Sequence, residues 1–255
     1  MRYQYTSPGF RKGFSRPTFT IPSGVKLLVI INIVVFVLTA LSGQRSILFS
    51  SFGLVPSHVW SNFKVWQLFT YLFVHGGFLH IFFNMFVLWM FGKDLEMQWG
   101  KNEFLLFYFT CGIGAGLMTV LFSVNSIVPI VGASGAIYGL LVAYGFTYPN
   151  RMVYLYGLFP LKVKYMVLGL GVIAFFASLS ANQSNVSHIT HLSGMIIGVL
   201  YIYFIFNWKN IKMEYYRLRL KNLKQKLDNF LMKKAQKEKE KEKIKPTSKS
   251  TLILM

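Results

Sequence analysis

Two short phrases in the sequence could assemble a nucleophile and its base. In Gly132-Ala-Ser-Gly-Ala-Ile-Tyr-Gly139, Ser134 sits between small residues, so its backbone N–H can be approached closely and its hydroxyl is unshielded. His191 is followed by Gly194 and Gly198 at i+3 and i+7, a small-residue face matching that of Gly135 and Gly139. Such faces let helices pack backbone to backbone in lipid. Packing one on the other would bring Ser134 within hydrogen-bonding reach of His191, as an activated serine requires. Tyr138, one turn past Ser134, could lie under the imidazole and hold its plane. A third polar pair, His80 and Asn84, is spaced i, i+4 and so shares one helix face. Both can donate a hydrogen bond while uncharged. Acyl transfer needs such donors around a tetrahedral oxyanion, together with the backbone N–H of Ser134. Each phrase is weak alone, since small residues and serines are common where membrane helices touch. The three together are specific.

The elements that must position these residues are apolar. Of 255 residues, 54% are hydrophobic, 17% aromatic and only 14% charged, more apolar surface than a soluble core of this size can bury. Lys, Arg, Asp and Glu are absent from Val65–Gly92, Phe104–Asn150 and Tyr165–Trp208. A spanning helix needs roughly 20 apolar residues, so each of the two longer blocks can hold two spans and a turn. With Leu27–Ser42 and the span ending at Gly92, the sequence predicts an all-α, six-helix membrane bundle. The expected spans are 25–43, 79–93, 104–124, 132–149, 165–181 and 189–207. They form a membrane domain over 25–207, flanked by a segment 1–24 and a basic tail 208–255 that is helical and then disordered.

Basic residues orient the bundle. They cluster before span one, between spans two and three (Lys93, Lys101), between four and five (Arg151, Lys162, Lys164) and in the tail. The opposite loops carry only Arg45 and Lys64. Both termini are therefore expected in the cytoplasm. The net charge of +19 is largely topological. Residues 209–249 hold 15 basic and 5 acidic side chains, a net of +10 that suits anionic lipid headgroups. No stacking-aromatic module accompanies that charge, so nucleic acid is not an expected partner. Cys111 is the sole cysteine and reads as a packing residue.

On this topology all five histidines (His58, His75, His80, His188 and His191) lie toward the outer side, four of them flanking spans two and six. Polar side chains in a membrane mark functional sites by default. All eight carboxylates lie on the cytoplasmic side, so a serine hydrolase built here would run on a Ser-His dyad. Two other classes fit parts of the pattern. One is a non-catalytic helix-binding protein. The other is a metal or haem site on His75, His80, His188 and His191, which would leave the Gly-Ala-Ser-Gly phrase unexplained.

His80-x-x-x-Asn84, Gly132-Ala-Ser134-Gly and His191-x-x-Gly194-x-x-x-Gly198, in that order on spans two, four and six, resemble the rhomboid intramembrane proteases. The resemblance covers about residues 20–207. It implies a six-helix core with a water-filled cavity opening outward, and a serine endopeptidase cutting transmembrane segments of other membrane proteins near the outer face. Ser134 would be the nucleophile, His191 the base, His80 and Asn84 the oxyanion hole, with Tyr138 stacked on His191. Gly132, Gly135 and Gly194 would supply close approach, and His75 and His188 would support the cavity's hydrogen bonds. Glu96 would hold a structural position. No cofactor or metal is implied, and the minimal architecture points to a bacterial plasma membrane. One departure is Trp66-Gln67, where many members of the family carry Trp-Arg.

Overall fold

A computed structural model describes residues 21–155, 159–179 and 185–244. The chain begins with α1 (Ser23–Leu41) and three short helices, α2 (Arg45–Phe52), α3 (Pro56–Ser61) and α4 (Gln67–Thr70). Then come α5 (Phe78–Trp99), α6 (Lys101–Phe122) and α7 (Ser134–Thr147). A two-stranded ribbon, β1 (Met152–Leu155) with β2 (Phe159–Lys162), leads to α8 (Val163–Ser178) and α9 (Asn185–Ile244). Every expected span is thus occupied by a helix, in a polytopic membrane bundle.

Four stretches, Ser23–Leu41, Phe78–Trp99, Lys101–Phe122 and Ser187–Ile205, are long and apolar enough to cross a bilayer. The other two helices are shorter than their expected spans: α7 has 14 residues and α8 has 16. Helix α7 loses two residues at each end of its expected span, while α8 begins two residues early and stops three residues sooner. Residues 123–133 are turns and extended chain, so α7 cannot begin before Ser134. The antiparallel ribbon, with Met152 opposite Lys162 and Leu155 opposite Phe159, takes up the residues ahead of α8. Nothing in the charge pattern predicts that ribbon.

Residues up to Tyr201 form one compact unit, and those from Ile202 onward form a second. The first sets several polar side chains within an apolar core and turns apolar ones outward. Asn32, Gln67, His75, Asn84, Glu96 and Thr119 are buried, while Leu38, Phe82, Leu121 and Phe176 are exposed. That distribution suits a lipid solvent, which rewards no apolar residue for turning inward. In the second unit, the helix to Ile244 exposes Leu220, Leu223, Leu227 and Phe230. The expected end of the tail, 245–255, lies outside the described residues.

Three polar ties fix the bundle. Glu96, buried on α5, accepts the Gly24 and Val25 N–H groups at 2.7 Å each, satisfying donors that the first turn of α1 would otherwise leave unpaired. Glu103 accepts from the Tyr201 hydroxyl at 2.8 Å, joining α6 to α9. Asp94 accepts from the Tyr144 hydroxyl at 2.9 Å and pairs with Arg151, joining α5 to α7 and the ribbon. The loop from α2 to α4 is held without a charge. Gln67 is fully buried, accepts from the Val55 N–H at 3.0 Å and donates to the Ser50 carbonyl at 2.8 Å. Trp66 adds a bond to Ser51 O at 3.0 Å. The amide of Gln67 thus ties the loop by neutral hydrogen bonds.

Candidate active site

Ser134 is presented by the way chain enters α7. Ile130 bridges antiparallel to Leu54, and the Gly132 N–H donates to Tyr71 O at 2.9 Å. Tyr71 is itself buried and bonded through its hydroxyl to Gly112 O at 2.6 Å, so the anchor is rigid. Gly132 then turns with φ +117°, a conformation that side chains disfavour. A Cβ there would stand 2.7 Å from His80 Nε2 and 3.4 Å from Asn84 Nδ2. The glycine therefore lets both donors close on the backbone just ahead of Ser134. Ser134 opens α7, and the first backbone bond recorded there runs from Ile137 N to Ala133 O at 3.0 Å. The N–H of Ser134 thus belongs to the unpaired first turn, at the positive end of the helix dipole.

His191 comes from α9. His191 Nε2 lies 2.8 Å from Ser134 Oγ. Glycines set that distance. A Cβ on Gly194 would fall on the carbonyl oxygen of Gly135, and one on Gly198 would stand 3.0 Å from Gly139 Cα. On α7, a Cβ at Gly135 would meet Ala115 Cβ at 3.0 Å, and one at Gly139 would meet Cys111 Sγ at 2.6 Å. Helix α7 is thus wedged between α6 and α9 with no room for side chains. Thr190, beside His191, shares a 2.8 Å hydroxyl contact with Thr119 on α6, which holds the same turn of α9.

The Tyr138 ring stacks on His191, centroids 4.4 Å apart and planes 7° from parallel. His188 meets His191 edge to face at 6.1 Å. Asn84 Nδ2 is buried with no hydrogen-bond partner, an orphan donor beside Gly132. Such a group costs stability unless something else uses it.

His75 is not brought to Ser134. It is fully buried one layer out, edge-on to His80 at 5.1 Å, with Nδ1 3.3 Å from Phe73 O and Nε2 unpartnered. Burial, reinforced by His80, holds its pKa down to about 4 and outweighs the Phe73 carbonyl, so it is neutral at physiological pH. The four histidine rings meet in two pairs, His75 with His80 and His188 with His191, and among the described residues no three metal-ligating side chains converge. No carboxylate hydrogen-bonds to His191 among the described residues. Tyr71, Leu54 and Thr119 also position the site. Their contacts with Ile130, Gly132 and Thr190 span 61 to 76 residues of sequence and left no periodic signal.

The comparisons with known proteins agree with this geometry. A family model described as the rhomboid domain matches residues 62–208, more than half of the chain. The chain belongs to the rhomboid family. Among similar rhomboids, the rhomboid protease GluP of Bacillus subtilis is 30% identical over 186 residues, covering 72% of this chain and 34% of that protein. The mitochondrial rhomboid protein 1 of Saccharomyces cerevisiae is 31% identical over 52% of this chain and 40% of its own length. The rhomboid protease GlpG of Yersinia pestis is 25% identical over 68% of this chain and 59% of its own. The chain thus spans between 34% and 59% of the length of these rhomboids. Like them in family, and with its apolar helices, it is a multi-pass membrane protein.

Proposed function

We propose that this rhomboid is an intramembrane serine endopeptidase, with Ser134 as nucleophile and His191 as its base. The observation that carries the reading is the 2.8 Å contact from His191 Nε2 to Ser134 Oγ across a glycine-packed helix crossing. Two relatives bear the name rhomboid protease, which supports it.

Ser134 Oγ attacks the substrate carbonyl carbon as its proton passes to His191 Nε2. The carbonyl oxygen becomes an anion, held by the Ser134 N–H, His80 and Asn84. These donors are fixed before reaction and need no reorganisation. His191 then gives its proton to the departing amine as the C–N bond breaks, leaving an acyl-Ser134. Water, deprotonated by His191, attacks the ester and frees the second fragment. With no carboxylate bonded to the imidazole among the described residues, Tyr138 sets its plane by stacking, and His188 closes one edge.

The substrates are transmembrane segments of single-pass or multi-pass membrane proteins, cut near the outer face. A helical peptide bond is hydrogen-bonded and shielded, so the segment must be locally unwound. Both termini lie in the cytoplasm, in a bacterial plasma membrane, and the basic tail attracts anionic lipid. A transmembrane reporter in proteoliposomes tests the catalytic reading. Wild type should cleave it and Ser134→Ala should not. Equal cleavage by Ser134→Ala would refute the assignment.

A further inference from the structure

A groove of about 790 Å³ lies between α7, α8 and the adjoining turns of α9. Its walls include Phe146, Leu168, Phe175, Phe176 and Met195. Helix α8 buries only Val163 and Ala174, which leaves most of its side chains to form one wall. Gly171 keeps the passage open, since a Cβ there would stand 3.3 Å from Met195 Cε. At one end sits Lys164, the sole charged residue lining it among those described. No carboxylate pairs with Lys164 among the described residues.

Size and charge together select the occupant. From Lys164 to Phe175 the groove follows eleven residues of α8, about 17 Å at the helical rise. That is close to one leaflet, half of a hydrocarbon core about 30 Å thick. An extended alkyl chain reaches that depth and has no backbone polar groups to satisfy, so it suits a lining that is apolar except for Lys164. The cation stands where the chain would emerge, at the end of the bundle that carries Arg151 and Lys162. We propose that this groove holds one acyl chain of an anionic phospholipid from the inner leaflet, with its headgroup phosphate on Lys164. The far end of that chain packs on Leu192, the residue after His191, so the lipid braces the turn that carries the imidazole. The proposal rests on membrane embedding and not on the protease reading.

The test uses the full chain in phosphatidylcholine nanodiscs doped with a photoreactive lipid carrying a diazirine at mid-chain. Phosphatidylglycerol and phosphatidylcholine probes with identical chains are compared, and crosslinked peptides are mapped by mass spectrometry. Crosslinks to the α8 and α9 walls should favour phosphatidylglycerol by about fivefold, the effect of one basic contact. Lys164→Gln should abolish that preference and Lys164→Arg restore it, while labelling of the exposed face of α1 stays unchanged. Equal labelling by both probes, or a preference that survives Lys164→Gln, would mean annular lipid only and would overturn the proposal.

Discussion

Tyr138 lies flat on His191, with ring planes 7° apart, on the same side chain whose Nε2 meets Ser134 Oγ at 2.8 Å. In a triad the carboxylate fixes both the tautomer and the plane of the imidazole. Here a ring face fixes the plane and leaves the proton free to move. Tyr138→Phe should keep the stack and most of the activity. Tyr138→Ala should lose about 3- to 10-fold in kcat, the range expected from an aromatic pair. Turnover of the transmembrane reporter measures both.

The orphan amide of Asn84 makes a sharper expectation. Because Nδ2 has no partner in the resting protein, Asn84→Ala removes no existing bond from it. Rate should fall about 10²–10³-fold while thermal stability stays nearly unchanged. A large drop in Tm with an unchanged rate would make Asn84 a structural residue instead. His80→Ala should show the same rate loss.

Gly194 and Gly198 separate packing from chemistry. A methyl at Gly194 would collide with the Gly135 carbonyl, while one at Gly198 meets Gly139 Cα at 3.0 Å. Gly194→Ala should therefore destabilise by about 1–3 kcal/mol and push α9 off α7, with Gly198→Ala the milder of the two. Thermal unfolding in detergent ranks them.

Much of this architecture was legible because a membrane simplifies the code. Charge-free blocks located the helices, and the bias of basic residues located their ends. The close pairing of Ser134 with His191 was visible in glycines at matching i, i+4 spacing, since only small residues allow that approach. What stayed hidden was set by contacts that leave no period. The register of α7 depends on the Leu54–Ile130 bridge and on the Tyr71 carbonyl, both supplied by a loop that reads as polar spacer. The short α7 and the ribbon before α8 follow from backbone pairing rather than hydropathy. Gln67 looked like the loss of an anchor, yet the folded loop shows a neutral one.

His75 gives a pH dependence with a defined sign. Its pKa is about 4 when folded, against the ordinary histidine value of 6.5, so the unfolded chain binds more protons between these values. Its share of stability is complete above about pH 6.5 and falls as pH drops toward 4, by up to about 1.4 kcal/mol per unit. His75→Gln should flatten that part of the Tm profile.

The most direct measurement is labelling of the detergent-purified protein by a fluorophosphonate, which phosphonylates activated serines with loss of fluoride. Wild type should label, and Ser134→Ala and His191→Ala should not, with all three equally folded by thermal unfolding. Labelling that persists in Ser134→Ala, or its absence from folded wild type, would contradict the Ser134–His191 dyad.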